Sequence, residues 1–181
     1  VPRPALRRAA GTGGHRPGIF EKGVERINLL QPEFVMSVGD MIEGYTTDTL
    51  EINRQWDEFT GFVDKLEMPY FYVPGNHDLT NPVMEQIWKK RIGPTHYSFV
   101  YKDVLFMALN SEDQTRGGGR GSISPPQLEW IGKTLEANRD VKWTFLFMHQ
   151  PLWLQESDPV DWFDVEKLHQ KRKHTEFVGD G

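Results

Sequence analysis

Three apolar runs in this sequence stop abruptly at side chains that can bind cations. "EFVMSV" (33–38) ends at Gly39-Asp40, "PYFYV" (69–73) runs through Pro74-Gly75 into Asn76, His77 and Asp78, and "VKWTFLFMH" (141–149) ends in His149. Short continuous apolar runs bounded by turn residues read as buried strands. One polar strand end marks only where a chain leaves the core. Three such ends, if the strands are neighbours, converge on one edge, and in open α/β sheets ligands gather outside the carboxyl ends of strands. Carboxylate, amide oxygen and imidazole form a mixed donor set suited to Mn, Fe, Zn or Mg. Asp40 has two oxygens and can bridge two cations. A pair of metals roughly 3.5–4 Å apart clamps a phosphate and lowers the pKa of a bound water. Gly39 and Gly75 beside these residues let the backbone turn sharply and approach a ligand.

Between the runs lie helical patterns. "IFEKGVERINLLQ" (19–31) spaces Phe20, Val24, Ile27 and Leu30 on one face. "TLEINRQWDEFTGFVDKL" (49–66) does the same with Leu50, Trp56, Phe59, Val63 and Leu66, and Thr49 is its expected N-cap. Asn81-Pro82 caps and opens the next helix. "HYSFVYKDVLFMALN" (96–110) reads as two strands around a Lys102-Asp103 turn. Ser124-Pro125 opens "PPQLEWIGKTLEAN". "TRGGGRGS" (115–122) reads as a plain loop, because it lacks the Lys-Ser/Thr of a phosphate-binding P-loop. Strand and helix alternate twice, followed by a hairpin, a helix and a strand, which predicts an α/β fold with a mainly mixed or parallel sheet.

The 181 residues suffice for one domain with a sizeable core. A net charge of −5 argues against a nucleic-acid surface. The absence of cysteine excludes disulfides and thiolate metal sites. No apolar run approaches the roughly 18 residues of a membrane span. The compartment and the oligomeric state are not written in this sequence.

Taken in order, "SVGDMIEG", "VPGNHD" and "FMHQPLW" resemble the motifs of the calcineurin-like metallophosphoesterase family. The resemblance extends over roughly residues 13–178. It implies a four-layer α/β sandwich with mixed central sheets and hydrolysis of phosphate esters by metal-activated hydroxide at a two-metal site. It implies that Asp40 bridges the metals, that Asn76 and His149 bind one of them, that His77 contacts phosphate and protonates the leaving group, and that Asp78 orients His77. A phosphorylated small molecule or other phosphoester is the implied partner, monoester and diester alike.

The sequence departs from the family at both ends. The first family box keeps an Asp near position 10, where Ala9, Ala10 and Gly11 stand, and "VPRPALRR" lacks the Val/Ile-rich character of a buried strand. No Gly-His-x-His box follows His149. Residues 1–12 are therefore expected to be an atypical or disordered segment, and 13–181 a partial domain incomplete at both ends. One metal site keeps Asp40, Asn76 and His149; the other keeps only Asp40. The expectation is at most one well-bound metal and weak or no activity for this chain alone. The alternative is a catalytically inactive domain of the same fold that binds a ligand or protein partner.

His15 and Arg16, in "TGGHRPG", are candidates for phosphate contact, with a plain loop role as the alternative. Glu43 is a candidate supporting carboxylate. His96 reads as a structural turn residue, and His169 and His174 as solvated surface residues. Trp153 and Trp162 are either substrate rim or simple packing.

Overall fold

The computed structural model describes residues 18–114 and 121–152. The first helix, α1 (Ile19–Leu30), is followed by strand β1 (Val35–Met36), helix α2 (Thr49–Val63) and strand β2 (Tyr70–Phe71). Helix α3 (Pro82–Arg91), strands β3 (Tyr97–Tyr101) and β4 (Val104–Ala108), helix α4 (Pro125–Ala137) and strand β5 (Trp143–Phe147) complete the order.

The starts of α2, α3 and α4 are set by side-chain oxygen acceptors for orphan N–H groups. Asn81 accepts from Val83 and Met84 N–H, with Pro82 behind it, and Ser124 caps α4 in the same way. For α2 the cap is Asp48, one residue before the expected Thr49; its Oδ1 accepts from Leu50 and Glu51 N–H. A carboxylate also interacts favourably with the positive end of the helix dipole. Leu50, expected in the core, is 81% exposed, and Ile52 is buried in its place. Ile52, Trp56, Phe59 and Val63 follow the 4-3-4 spacing of one helix face, and Leu50 lies off that line. Leu30 is likewise exposed, at the end of α1.

β1 and β2 pair in parallel, Val35 opposite Tyr70. They are shorter than the apolar runs that contain them, although Val35 N–H to Pro69 O and Ser37 N–H to Phe71 O extend the ladder. β3 and β4 form the expected hairpin, with Lys102 and Asp103 both at positive φ, as a two-residue primed turn requires. β4 then pairs in parallel with β5. The three strands that carry the polar ends are thus divided between two sheets: β1 pairs with β2, and β5 belongs with the hairpin.

Aromatic packing brings the two sheets together. Phe71 of β2 stacks on Phe99 of β3 at 4.3 Å, Phe99 on Phe106 at 5.1 Å, and Phe34 stands edge-on to all three rings. One apolar cluster, built on Trp56, Trp88, Ile52 and Met84, lies between α2 and α3. A second, built on Leu105, Met107 and Leu109, lies against Trp130 and Ile131 of α4. No helix among the described residues is long and apolar enough to cross a membrane.

Candidate metal centre and its supporting loops

Beyond β1 the chain turns through Gly39 and Asp40, both with positive φ (84° and 57°). Glycine takes that conformation without penalty and Asp tolerates it. The turn brings the backbone of Gly39 against His149, where a Cβ on Gly39 would sit 2.5 Å from Nδ1. Beyond β2, Asp78 and Leu79 N–H close a tight turn on Gly75 O.

Asp78 ties these two loops together. It is fully buried. Its Oδ2 accepts from Asp40 N–H (2.9 Å) and Gly75 N–H (2.8 Å), and its Oδ1 from Met41 N–H (3.0 Å) and Ile42 N–H (3.4 Å). Burial pushes its carboxyl up to about 7, and the backbone donors oppose that rise. This differs from the orienting role expected for Asp78. The Nδ1–H of His77 instead meets the backbone carbonyl of Glu43 at 2.6 Å. Glu43, singled out for its carboxylate, enters the site through its main chain.

Asp40, Asn76 and His149 do come together. His149 Nε2 lies 3.2 Å from Asp40 Oδ2 and 3.0 Å from Asn76 Oδ1. His149 Nδ1–H donates to Val38 O at 2.8 Å, so Nε2 is the nitrogen left to face the two oxygens. A carbonyl on the far nitrogen is the usual support for a metal-binding histidine. Three lone-pair donors this close repel one another unless a cation lies among them. In the metal-free chain that cation is a proton: the Asp40 hydrogen bond raises His149 to about 9, against burial and with help from Val38 O. Burial raises the Asp40 carboxyl, but the bonds from His149 and His77 N–H outweigh it and hold Asp40 below its ordinary value. Among the described residues no three His, Asp or Glu side chains gather into a metal-sized group; the third donor here is an amide oxygen. The donor set therefore fits one divalent cation bound by oxygen and nitrogen.

Asp40 Oδ1 accepts His77 N–H at 3.1 Å, which places His77 beside the three donors. Tyr45 and Gln150 were not legible as site residues, yet both touch Asn76. Tyr45 OH accepts from Asn76 Nδ2, and Gln150 Nε2–H donates to Asn76 Oδ1, each at 2.7 Å. The position of Gln150 directly after His149 was the available signal for it; Tyr45 had none beyond Gly44 before it. His96 packs its ring on Trp130, 4.8 Å between centroids. His15, Arg16, Trp153, Trp162, His169 and His174, and residues 115–120 of the glycine-rich loop, lie outside the described residues.

Gly44 sits at φ 63°, where a Cβ would fall 1.9 Å from the carbonyl oxygen of His77. Gly44→Ala is expected to cost about 3 kcal/mol, from left-handed strain plus a forced backbone shift. Urea denaturation measures this. A cost below about 1 kcal/mol would mean that the loop gives way freely.

A model of the calcineurin-like phosphoesterase family matches residues 15–178. The chain is 28% identical over 178 residues to the serine/threonine-protein phosphatase CPPED1 of Homo sapiens, covering 90% of this chain and 55% of that protein. It is 28% identical over 125 residues to the probable glycerophosphodiester phosphodiesterase GpdQ of Arcobacter nitrofigilis (67% of this chain, 42% of that one). Over 166 residues it is 22% identical to the 3',5'-cyclic adenosine monophosphate phosphodiesterase CpdA of Escherichia coli K12 (88% and 58%). The chain spans about half the length of the curated relatives it matches. A dimetal phosphatase from Danio rerio shares the fold, with a TM-score of 0.55 at 16% identity, over 86% of this chain and 67% of that one. The α/β architecture, its mixed sheet and the span of the family match agree, and this chain belongs to the calcineurin-like phosphoesterase family.

Proposed function

We propose that residues 13–181 form part of a phosphoester hydrolase domain that holds one divalent cation through Asp40 Oδ2, Asn76 Oδ1 and His149 Nε2. The observation that carries this reading is the approach of His149 Nε2 to Asp40 Oδ2 (3.2 Å) and Asn76 Oδ1 (3.0 Å), with Nδ1 of His149 tied to a carbonyl. When bound, the cation offsets phosphate charge and makes water a better nucleophile. A second cation of a two-metal site would share Asp40.

The chain's own residues supply the rest. His77 is fixed through Nδ1 on Glu43 O, which leaves Nε2 for proton exchange. In its protonated form Nε2–H donates to the leaving-group oxygen of the ester. Asp78 keeps the loop of His77 and the loop of Asp40 in register through its backbone bonds. Asn76, beyond holding the cation, lines the phosphate position, and His15 and Arg16 remain candidates for phosphate contact. The relatives named for phosphatase and for phosphodiesterase activity support the ester class and leave monoester and diester both open.

The test is hydrolysis of p-nitrophenyl phosphate and bis-p-nitrophenyl phosphate by this chain, with Mn²⁺ or with EDTA. The expected result is slow turnover that EDTA abolishes and His77→Ala lowers about 100-fold, the usual scale for a lost general acid. Calorimetric titration accompanies it, with one tight Mn²⁺ per chain expected; two tight sites would refute the single-cation reading. Tight Mn²⁺ binding with no turnover of either ester would favour the inactive, ligand-binding domain.

A further inference from the structure

Tyr45 occupies a backbone conformation that bulky side chains avoid, with φ at 51°. Left-handed backbone costs about 1–2 kcal/mol for such a residue, and strain of this kind persists where the surrounding structure enforces it. Gly44 before it is also left-handed, so two consecutive residues turn the chain back over the loop of Asn76 and His77. The turn places the Tyr45 ring edge-on against His77, with centroids 4.6 Å apart at 84°. It also places the phenol oxygen 2.7 Å from Asn76 Nδ2, which donates to it.

Asn76 is held from its other end as well. Gln150 Nε2–H donates to Asn76 Oδ1, and Gln150 is itself anchored by its backbone N–H on Ser111 Oγ at 2.9 Å. A primary amide has two orientations of nearly equal shape, and only one turns its lone pairs toward a given point. With a cation at the three donors, only the oxygen end of Asn76 can face it. The N–H end then needs an acceptor, and the Tyr45 oxygen is that acceptor.

We propose that Tyr45 is a positioning residue that fixes Asn76 as a cation ligand, through its hydroxyl on the amide. This rests on the single-cation reading above. The strained turn is the structural means of delivering the phenol, since the left-handed pair carries it across to the opposite loop.

The experiment is a Mn²⁺ titration of the 181-residue chain, read by calorimetry and by the electron paramagnetic resonance of free Mn²⁺. Tyr45→Phe keeps the ring against His77 and removes only the oxygen. Its Kd for Mn²⁺ is expected to rise about tenfold, the lower end of the range for lost partners of metal ligands, with the melting midpoint in EDTA unchanged. The same substitution is then made in an Asn76→Ala background, which keeps Asp40 and His149 and binds Mn²⁺ more weakly. With no amide left to orient, Tyr45→Phe is expected to leave that weaker Kd unchanged. Equal binding by wild type and Tyr45→Phe overturns the proposal, as does an equal loss in both backgrounds. If the wild-type chain binds no Mn²⁺ at all, this proposal and the single-cation reading fall together; unchanged binding in Tyr45→Phe beside a binding wild type removes this proposal alone.

Discussion

Asp78→Asn is expected to cost the fold about 3–5 kcal/mol at pH 8, where the Asp78 carboxyl, pushed up to about 7, is ionised. The two carboxylate oxygens accept two backbone N–H groups each, all from the loops that follow β1 and β2. An amide of the same shape has one oxygen and one NH₂ group. Whichever way it is turned, two backbone N–H donors face an NH₂ and lose their acceptor, one of them that of buried Gly75 or Ile42. Each buried donor left without a partner costs about 1–3 kcal/mol. The loss reaches the site too, because the same bonds keep Asp40 and Asn76 in register; Mn²⁺ affinity should fall with stability. Urea denaturation of wild type and Asp78→Asn at pH 8 measures the first effect. A difference below about 1 kcal/mol would show that the loops are held by something other than this carboxylate.

The second large effect is on cation binding. His149→Ala removes the one nitrogen donor and is expected to weaken Mn²⁺ binding by more than about 100-fold, since such sites depend on several deprotonated ligands in place at once. The same residue sets a pH dependence whose sign is fixed. In the metal-free chain His149 titrates at about 9, with its proton held by Asp40. A cation must displace that proton. Apparent Mn²⁺ affinity is therefore expected to rise about tenfold per pH unit between pH 6 and 8, and to level off above 9. Metal-free stability runs the opposite way. The unfolded value for histidine is about 6.5, so the ion pair's contribution is fully present below that pH and is lost as pH rises through about 9. Asp40, held below its ordinary value, adds a loss at the acid end, as pH falls through its depressed range. Calorimetry at several pH values and melts in EDTA separate the two trends. A pH-independent Mn²⁺ affinity would mean that His149 does not carry a proton in competition with the metal.

Much of the chemistry was legible in the sequence because it is written locally. Apolar runs followed by Gly-Asp, by Gly-Asn-His-Asp and by a histidine identified where three strands end. Asn81-Pro82, Ser124-Pro125 and Lys102-Asp103 marked their elements by local capping and turn chemistry. Where the local reading failed, a competing local group or the geometry of a face decided. Asp48 outcompeted Thr49 for the start of α2 because its carboxylate reaches two N–H groups. Leu50 satisfied an apolar count but not the 4-3-4 line of Ile52, Trp56, Phe59 and Val63.

By itself, then, the sequence determined which residue types stand at the strand tips, and so the family and the donor chemistry available. Tertiary structure alone decided how they meet. His149 reaches Asp40 and Asn76 from a different sheet, across a stack of phenylalanines that no local pattern reveals. Asp78, next to His77 in sequence, turns into the core and binds backbone, whereas a main-chain carbonyl from Glu43 takes the position beside the imidazole. The physical reason is the same in each case. Capping and periodicity depend on neighbours within a few residues, but a hydrogen bond made across loops depends on packing that brings distant backbone atoms within about 3 Å.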